Sequence, residues 1–375
     1  MASNLDSQEL IKELKNSALY AMSLGSKELF HTNFWAWLLE QDDGFLKVFF
    51  PSANLQRPLA VFREQGNRDL TIRSREGLDA LVVENKLKSL PREEQLKGYA
   101  EELGDNPKKV HFGGGLLVSV VPPSFNLPQG WSYLPFGQVI DRIASFVPES
   151  KLSSEDKALT LRYCTESKTL CDLLAAYDVN LGPKMPTWEE VLPLEEIRLS
   201  DIVHKFKADQ LAQYLQKEPW YSLYQQEARK WGYELYCWPG FSDKRGIVDI
   251  RFEKLLSENP KMNIAIGVQI QGDQYRRIAQ RCGQQADLTQ KVFDEFKEKG
   301  WFLTPDLEHK TWKDQQTSMS KIFGKYDGRA DYPYRFVYQY HFLQDHSFAA
   351  IAAEVKNDLQ LALLLLSKLP LDCRD

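Results

Sequence analysis

Between residues 58 and 86 the hydrophobic pattern changes to a period of two, and no other feature of the chain constrains its fold as much. One run covers residues 59–64 and a second 68–74; after a turn at Arg75-Glu76-Gly77 a third covers 78–86. Short alternating runs split by turn residues read as an antiparallel meander of three strands. In the third run Ala80 to Val83 are all apolar, the mark of a strand buried on both faces.

Helical spacing brackets this meander. A leading helix is expected over residues 8–22. A second begins near Ser26 as N-cap, carries Leu29, Phe30, Phe34, Trp37 and Leu38 at helical intervals, and stops at Asp42-Asp43-Gly44. Pro91 opens a third over residues 92–103, with acids in its first turn. A buried strand at 116–121, a short strand at 131–136 and a helix at 137–146 complete an α/β layer in which a mixed sheet is flanked by helices. Residues 148–181 read as helix, and Gly182-Pro183-Lys184-Met185-Pro186 as a linker. The expected domains are therefore 1–181 and 187–375, and 375 residues suit two cores. In the second domain helices are expected at 200–217, 220–231, 274–290 and 347–367, and strands at 233–238, 246–252 and 262–270, giving an α+β arrangement. An aromatic-rich stretch covers 301–340, and Val248-Asp249-Ile250 followed by Val268-Gln269-Ile270-Gln271 loosely echoes the first meander.

Composition removes several classes. The nearest approach to a membrane span, Leu359 to Leu366, covers eight residues, one of them Gln360, too few to cross a bilayer, and residues 1–16 lack an apolar signal core, so a cytoplasmic address is expected and no membrane partner. Five scattered cysteines without zinc-site spacing read as reduced thiols. With 52 acids against 47 bases the net charge is −5, so any grip on nucleic acid must be local.

The chemistry gathers in Arg68-Asp69-Leu70-Thr71-Ile72 and Leu81-Val82-Val83-Glu84-Asn85-Lys86. Strand residues two apart share a face, so Glu84 and Lys86 project together. A turn centred near residues 76 and 77 sets Asp69 almost opposite Glu84. Two carboxylates then stand side by side with an ammonium next to them. A solvated cross-strand cluster would look the same. The apolar run beside it argues for burial, and buried charges of this kind hold a metal or serve catalysis. Oxygen donors without a cysteine or histidine pair favour Mg2+ or Mn2+.

Asp69, followed by Glu84-x-Lys86 at the end of an apolar strand, resembles the PD-(D/E)XK nuclease superfamily, as does the order helix, three-stranded meander, helix, strand. Glu28-x-x-His31-Thr32-x-Phe34-x-x-Trp37-Leu38-Leu39 is similar to the opening helix of a bacterial branch, and Gln95-x-x-x-Tyr99 to the QxxxY motif of exonuclease-like members. The likeness covers residues 20 to 140, and Arg68 stands where the superfamily carries its proline. It implies a restriction-endonuclease-like core and a Mg2+-dependent phosphodiesterase acting on nucleic acid, DNA ahead of RNA, in phage defence or DNA repair.

On that reading Asp69, Glu84, the Asn85 carbonyl and Glu28 hold the ion, and Lys86 orients or deprotonates the attacking water. His31, one turn from Glu28, contacts that carboxylate or a phosphate, or else is a hydrogen-bonded core histidine. Gln95 and Tyr99 position the water, the phosphate or an end base, or else lie on a plain helix surface. No Gly-rich phosphate loop with a following Lys-Ser/Thr is present, and Gly113-Gly114-Gly115 lacks the lysine. Arg276, Arg277 and Arg281 on the expected 274–290 helix, and the mixture of Lys321, Lys325, Tyr326, Arg329, Tyr332, Tyr334 and Arg335, suit contact with a nucleic-acid backbone or a merely solvated face. The second domain is then a substrate-recognition or oligomerisation module, which makes a second copy of the chain a further partner. The competing reading is a non-catalytic nucleic-acid-binding or scaffold protein that keeps the nuclease fold.

Overall fold

A computed structural model describes residues 7–16, 19–20, 27–53, 55, 58–74, 79–104, 111–242, 245–255, 263–282 and 334–367. The chain forms two compact units, Met1–Gly182 with Leu192–Val203, and Pro183–Val191 with His204–Asp375. Among the described residues no helix is long and apolar enough to cross a membrane.

The first unit is mixed α/β. Helices α1 (Ser7–Lys15), α2 (Lys27–Gln41) and α3 (Leu46–Phe49) precede strands β1 (Leu59–Gln65), β2 (Arg68–Ser74) and β3 (Asp79–Lys86). Helix α4 (Glu93–Gly104), strands β4 (His111–Ser119) and β5 (Trp131–Pro135), and helices α5 (Phe136–Phe146) and α6 (Ser154–Leu181) follow. The five strands lie in chain order, β1-β2-β3-β4-β5. β1, β2 and β3 pair antiparallel, whereas β3–β4 and β4–β5 are parallel. The pairs Leu70↔Val83, Thr71↔Val82 and Ile72↔Leu81 follow the register that the turn position implies.

Strand parity divides the core. Ala80 and Val82 of β3 join Leu117 and Trp131 beneath Leu96, Tyr99 and Leu103 of α4. Leu81, Val83 and Asn85 face the other way, where the Asn85 amide donates to the Glu28 carbonyl of α2 at 3.2 Å. The run from Ala80 to Val83 is buried throughout, which explains why β3 carries no polar alternation.

β4 begins earlier than the apolar run 116–121 suggests because its glycines belong to the strand. A Cβ at Gly115 would meet the Trp131 ring at 2.4 Å, so only glycine lets β5 close against β4 there. The register also slips between Ala80 and Leu81, beside Gly113 and Gly114.

The second unit contains α7 (Trp188–Glu195) in part, most of α8 (Ser200–Lys217), α9 (Pro219–Lys230), strands β6 (Glu234–Ser242), β7 (Arg245–Leu255), β8 (Asn263–Gln271), β9 (Gln274–Cys282) and β10 (Tyr334–Phe342), and α10 (Phe348–Leu366). Its sheet is antiparallel throughout, in the order β10-β9-β8-β7-β6. Val248, Ile250, Val268 and Ile270 pack under Leu211, Leu215, Ile351, Val355 and Leu359.

One expectation is corrected here: the start of the 274–290 segment is strand β9, not helix. Gly272-Asp273 joins Gln271 to its partner Gln274 as a two-residue hairpin loop, and pairing with β8 then outweighs the helix-like spacing of Tyr275 and Ile278. Residues 283–333, including Lys321, Lys325, Tyr326, Arg329 and Tyr332, lie outside the described residues, as does Ser26.

The Gly115 contact predicts that Gly115→Ala destabilises the chain by about 1–3 kcal/mol, since overpacking forces the strands apart. Urea denaturation measures it, and an unchanged midpoint would show that β5 does not lie so close.

Candidate active site

The site lies where the end of β3 meets the start of β2. One residue beyond the Leu70↔Val83 pair, the register sets Asp69 across from Glu84. The Asn85 main-chain N–H donates to Asp69 Oδ2 at 2.8 Å, which ties the two strand ends together. Lys86 Nζ is 2.6 Å from Glu84 Oε1. The Glu84 side chain is only 1% exposed, and its Oε2 has no hydrogen-bond partner.

Burial and the Asp69 charge, with a smaller push from Glu28, drive the Glu84 carboxyl up to about 7 against the pull of Lys86. Asp69 is raised as well, by burial first and then by Glu28 and Glu64, although Asn85 N–H and Lys86 oppose the shift. Burial alone would lower Lys86, but Glu84, Asp69 and Glu28 together hold it above its ordinary value. Asp69, Glu84 and Lys86 thus form one electrostatic unit with more negative than positive charge.

α4 covers this face. Gln95 Nε2 donates to the Tyr99 hydroxyl at 2.6 Å, and that hydroxyl donates to the Asn67 carbonyl at 2.5 Å. Burial and the nearby Glu84 and Asp69 charges raise Tyr99, so the phenol stays protonated. Arg68 Nη1 reaches Glu102 at 3.1 Å, joining β2 to the same helix. The turn that presents Asn67 has φ of 61° at Gly66 and 58° at Asn67, a left-handed pair of the kind that closes two-residue hairpins.

Between Arg63↔Leu70 and Gln65↔Arg68, the register sets Glu64 opposite Asp69. Glu64 is thus a site neighbour that the expected residues omit. The signal was available: Gly66-Asn67 between two alternating runs marks such a turn and sets the register.

Glu28 arrives from α2. Its Oε1 accepts from Lys88 N at 2.8 Å, Ser89 N at 2.9 Å and Ser89 Oγ at 2.7 Å. His31 is not brought to these carboxylates. It is 5% exposed, its Nδ1 lies 2.8 Å from the Tyr163 hydroxyl, and the rings of Phe30, Trp35 and Phe136 surround it. Burial lowers its pKa to about 3.

Arg276 and Arg277 belong to the second unit and, as neighbours on β9, point to opposite faces. Arg276 bonds Gln269 Oε1 at 2.8 Å and Gln274 Oε1 at 2.7 Å; Arg277 Nε pairs with Asp358 at 2.8 Å, and Tyr275 donates to the same carboxylate oxygen at 2.9 Å.

Among the described residues no group of three or more His, Cys, Asp or Glu is placed to hold a metal ion together. A smaller oxygen set is present. Asp69 and Glu84, with one buried Glu84 oxygen lacking a hydrogen-bond partner, form a pair that a divalent cation would neutralise, whereas Glu28 Oε1 already accepts three hydrogen bonds. No family model, curated protein or solved structure matches the chain.

His31 predicts a pH dependence of stability. Its folded value lies below the ordinary 6.5, so the unfolded chain takes up the proton first, and stability falls as pH drops from 6.5 toward 3. His31→Gln should flatten that slope by up to about 1.4 kcal/mol per pH unit in urea titrations. Parallel slopes for the two proteins would show that His31 protonates in the native state.

Proposed function

We propose that the first unit is a restriction-endonuclease-like domain of the PD-(D/E)XK type that hydrolyses phosphodiester bonds in nucleic acid, DNA ahead of RNA, with Mg2+ or Mn2+. The observation that carries this reading is the buried Asp69–Glu84–Lys86 unit, whose charge is unbalanced and whose Glu84 Oε2 lacks a partner. A burial of this kind is expensive as pure structure, since a carboxylate in low dielectric needs compensation by a cation or a proton.

Asp69, Glu84 and the Asn85 carbonyl would hold the ion. When bound, it supplies Lewis-acid polarisation of the phosphate and lowers the pKa of a coordinated water. Lys86 lies on the same face as Glu84, and its charge stabilises the negative charge that develops on phosphate oxygens. Its ammonium orients the attacking water through a hydrogen bond, with Glu84 fixing the direction of its Nζ. Tyr99 and Gln95 close the α4 side. Because the Tyr99 hydroxyl already donates to Asn67 and accepts from Gln95, the pair shapes the wall of the site, and the remaining Gln95 N–H is the group available to a phosphate oxygen.

The mixed sheet flanked by helices supports the fold assignment, because β3 ends at the same edge as the parallel β4. The second unit, with its antiparallel sheet, is assigned to substrate recognition or self-association. Phage defence and DNA repair are the settings that the family likeness suggests.

The purified chain should nick or degrade DNA in Mg2+ or Mn2+ and leave it intact in EDTA. Asp69→Asn, Glu84→Gln and Lys86→Met should each lower the rate by at least about 100-fold, the scale for removing one transition-state contact, while circular dichroism stays native. DNA binding that ignores divalent metal, with no cleavage of DNA or RNA, would instead establish the non-catalytic reading.

A further inference from the structure

Glu28 offers two acceptors to β3 and the segment after it. Its main-chain carbonyl takes the Asn85 amide at 3.2 Å and the Thr32 hydroxyl at 3.0 Å. Its carboxylate Oε1 takes both main-chain N–H groups of Lys88 and Ser89 and the Ser89 hydroxyl, all within 2.9 Å. Asn85 is fully buried, so its amide has no water to turn to. The residue before Lys86 and the second and third residues after it are therefore tied to one helical turn of α2.

One carboxylate oxygen has two lone pairs, so three donors commit Oε1 to the loop, and a cation would have only Oε2 to use. The N–H groups of the consecutive residues Lys88 and Ser89 converge on this one oxygen as a small nest. The far end of the loop is held too: Lys88 Nζ meets Asp201 at 3.0 Å and the Arg198 carbonyl at 2.7 Å, all within the first unit. With the backbone gripped on both sides, the direction in which Lys86 leaves β3 is set by contacts outside the sheet.

We infer that Glu28 is a positioning residue that clamps the backbone on either side of Lys86, and not a ligand to the ion. This inference rests on the proposed nuclease reading. A positioning role and a ligand role differ in what a glutamine can replace: its amide oxygen still accepts from the Lys88 and Ser89 N–H groups, yet it is a poor substitute for a metal-bound carboxylate.

The experiment compares the full-length chain with Glu28→Gln, Glu28→Ala and Ser89→Ala. Mg2+ binding is followed by calorimetry, DNA cleavage by kcat and KM, and exchange of the Lys88 and Ser89 amides by hydrogen–deuterium exchange. Glu28→Ala should lower kcat by about 10-fold or more with KM and Mg2+ affinity held, the size of effect usual for a group that orients a ligand shell. The same variant should speed exchange at both amides, and Glu28→Gln should restore most of kcat and of the protection. Ser89→Ala removes only the hydroxyl bond, so it should give a smaller loss of kcat, and it serves if Glu28→Ala fails to fold.

A fall in Mg2+ affinity of about 10-fold or more in Glu28→Gln, with kcat lost as fully as in Glu28→Ala, would make Glu28 a ligand and overturn the inference. If the parent binds no Mg2+ and cleaves nothing, the nuclease reading fails. The clamp is then decided by the amides alone: unchanged exchange in Glu28→Ala removes it, and faster exchange keeps Glu28 as the anchor of β3.

Discussion

Three charges leave water together at the end of β3, and much of the first unit is arranged around that fact. Asp69, Glu84 and Lys86 are mostly buried, and two carboxylates face one ammonium. Dehydrating such groups costs several kcal/mol each unless partners replace the lost water. The chain supplies part of the replacement through Asn85 N–H and the Lys86 contact, and leaves one Glu84 oxygen without a partner. α4 excludes solvent from the charged face. α2 occupies the opposite face and grips the strand end through Asn85. Both layers are needed, because a strand covered on one side only would let water reach Glu84 and dissolve the imbalance.

The sheet of the first unit was legible in the sequence wherever alternation and burial agreed. β2 and the end of β3 stand where the period-two pattern puts them, and the turn position set the register that brings Asp69 to Glu84. What could not be read was the direction of groups on α2. Glu28 and His31 are one turn apart, and spacing alone gives them a common side of the helix. The structure sends the Glu28 carboxylate to Lys88 and Ser89 and the His31 ring to Tyr163, which lies 132 positions away in sequence. Such a contact depends on how α6 packs against α2, and nothing local encodes it. Glu64 is different, since the Gly66-Asn67 turn already specifies its register opposite Asp69. The same kind of signal, Gly272-Asp273, distinguishes strand from helix at β9.

The second unit sharpens the comparison. Asp249 and Gln269 do lie opposite each other, and Gln269 Nε2 donates to Asp249 Oδ1 at 2.8 Å, much as Asp69 lies opposite Glu84. The echo ends there. Glutamines occupy 269 and 271 where the first unit has Glu84 and Lys86, and the sheet around them is antiparallel throughout, without the parallel pairing of β3 and β4. A shared hairpin pattern therefore coexists with different topologies. Arg276 and Arg277 illustrate the same point on a smaller scale: in a helix they would share a flank, but on β9 one joins the glutamines and the other joins Asp358.

The hairpin between β1 and β2 carries left-handed backbone at Glu64, Gly66 and Asn67. Glycine adopts that conformation freely, but at Glu64 the side chain makes it unfavourable by about 1–2 kcal/mol. The chain thus gives up folding stability beside Asp69 and Tyr99, at the edge where chemistry is proposed. A glycine at position 64 would relax the backbone and remove the acid that faces Asp69. Thermal robustness and the electrostatics of the site consequently pull this turn in opposite directions, and variants selected for heat resistance alone would drift toward losing the charge.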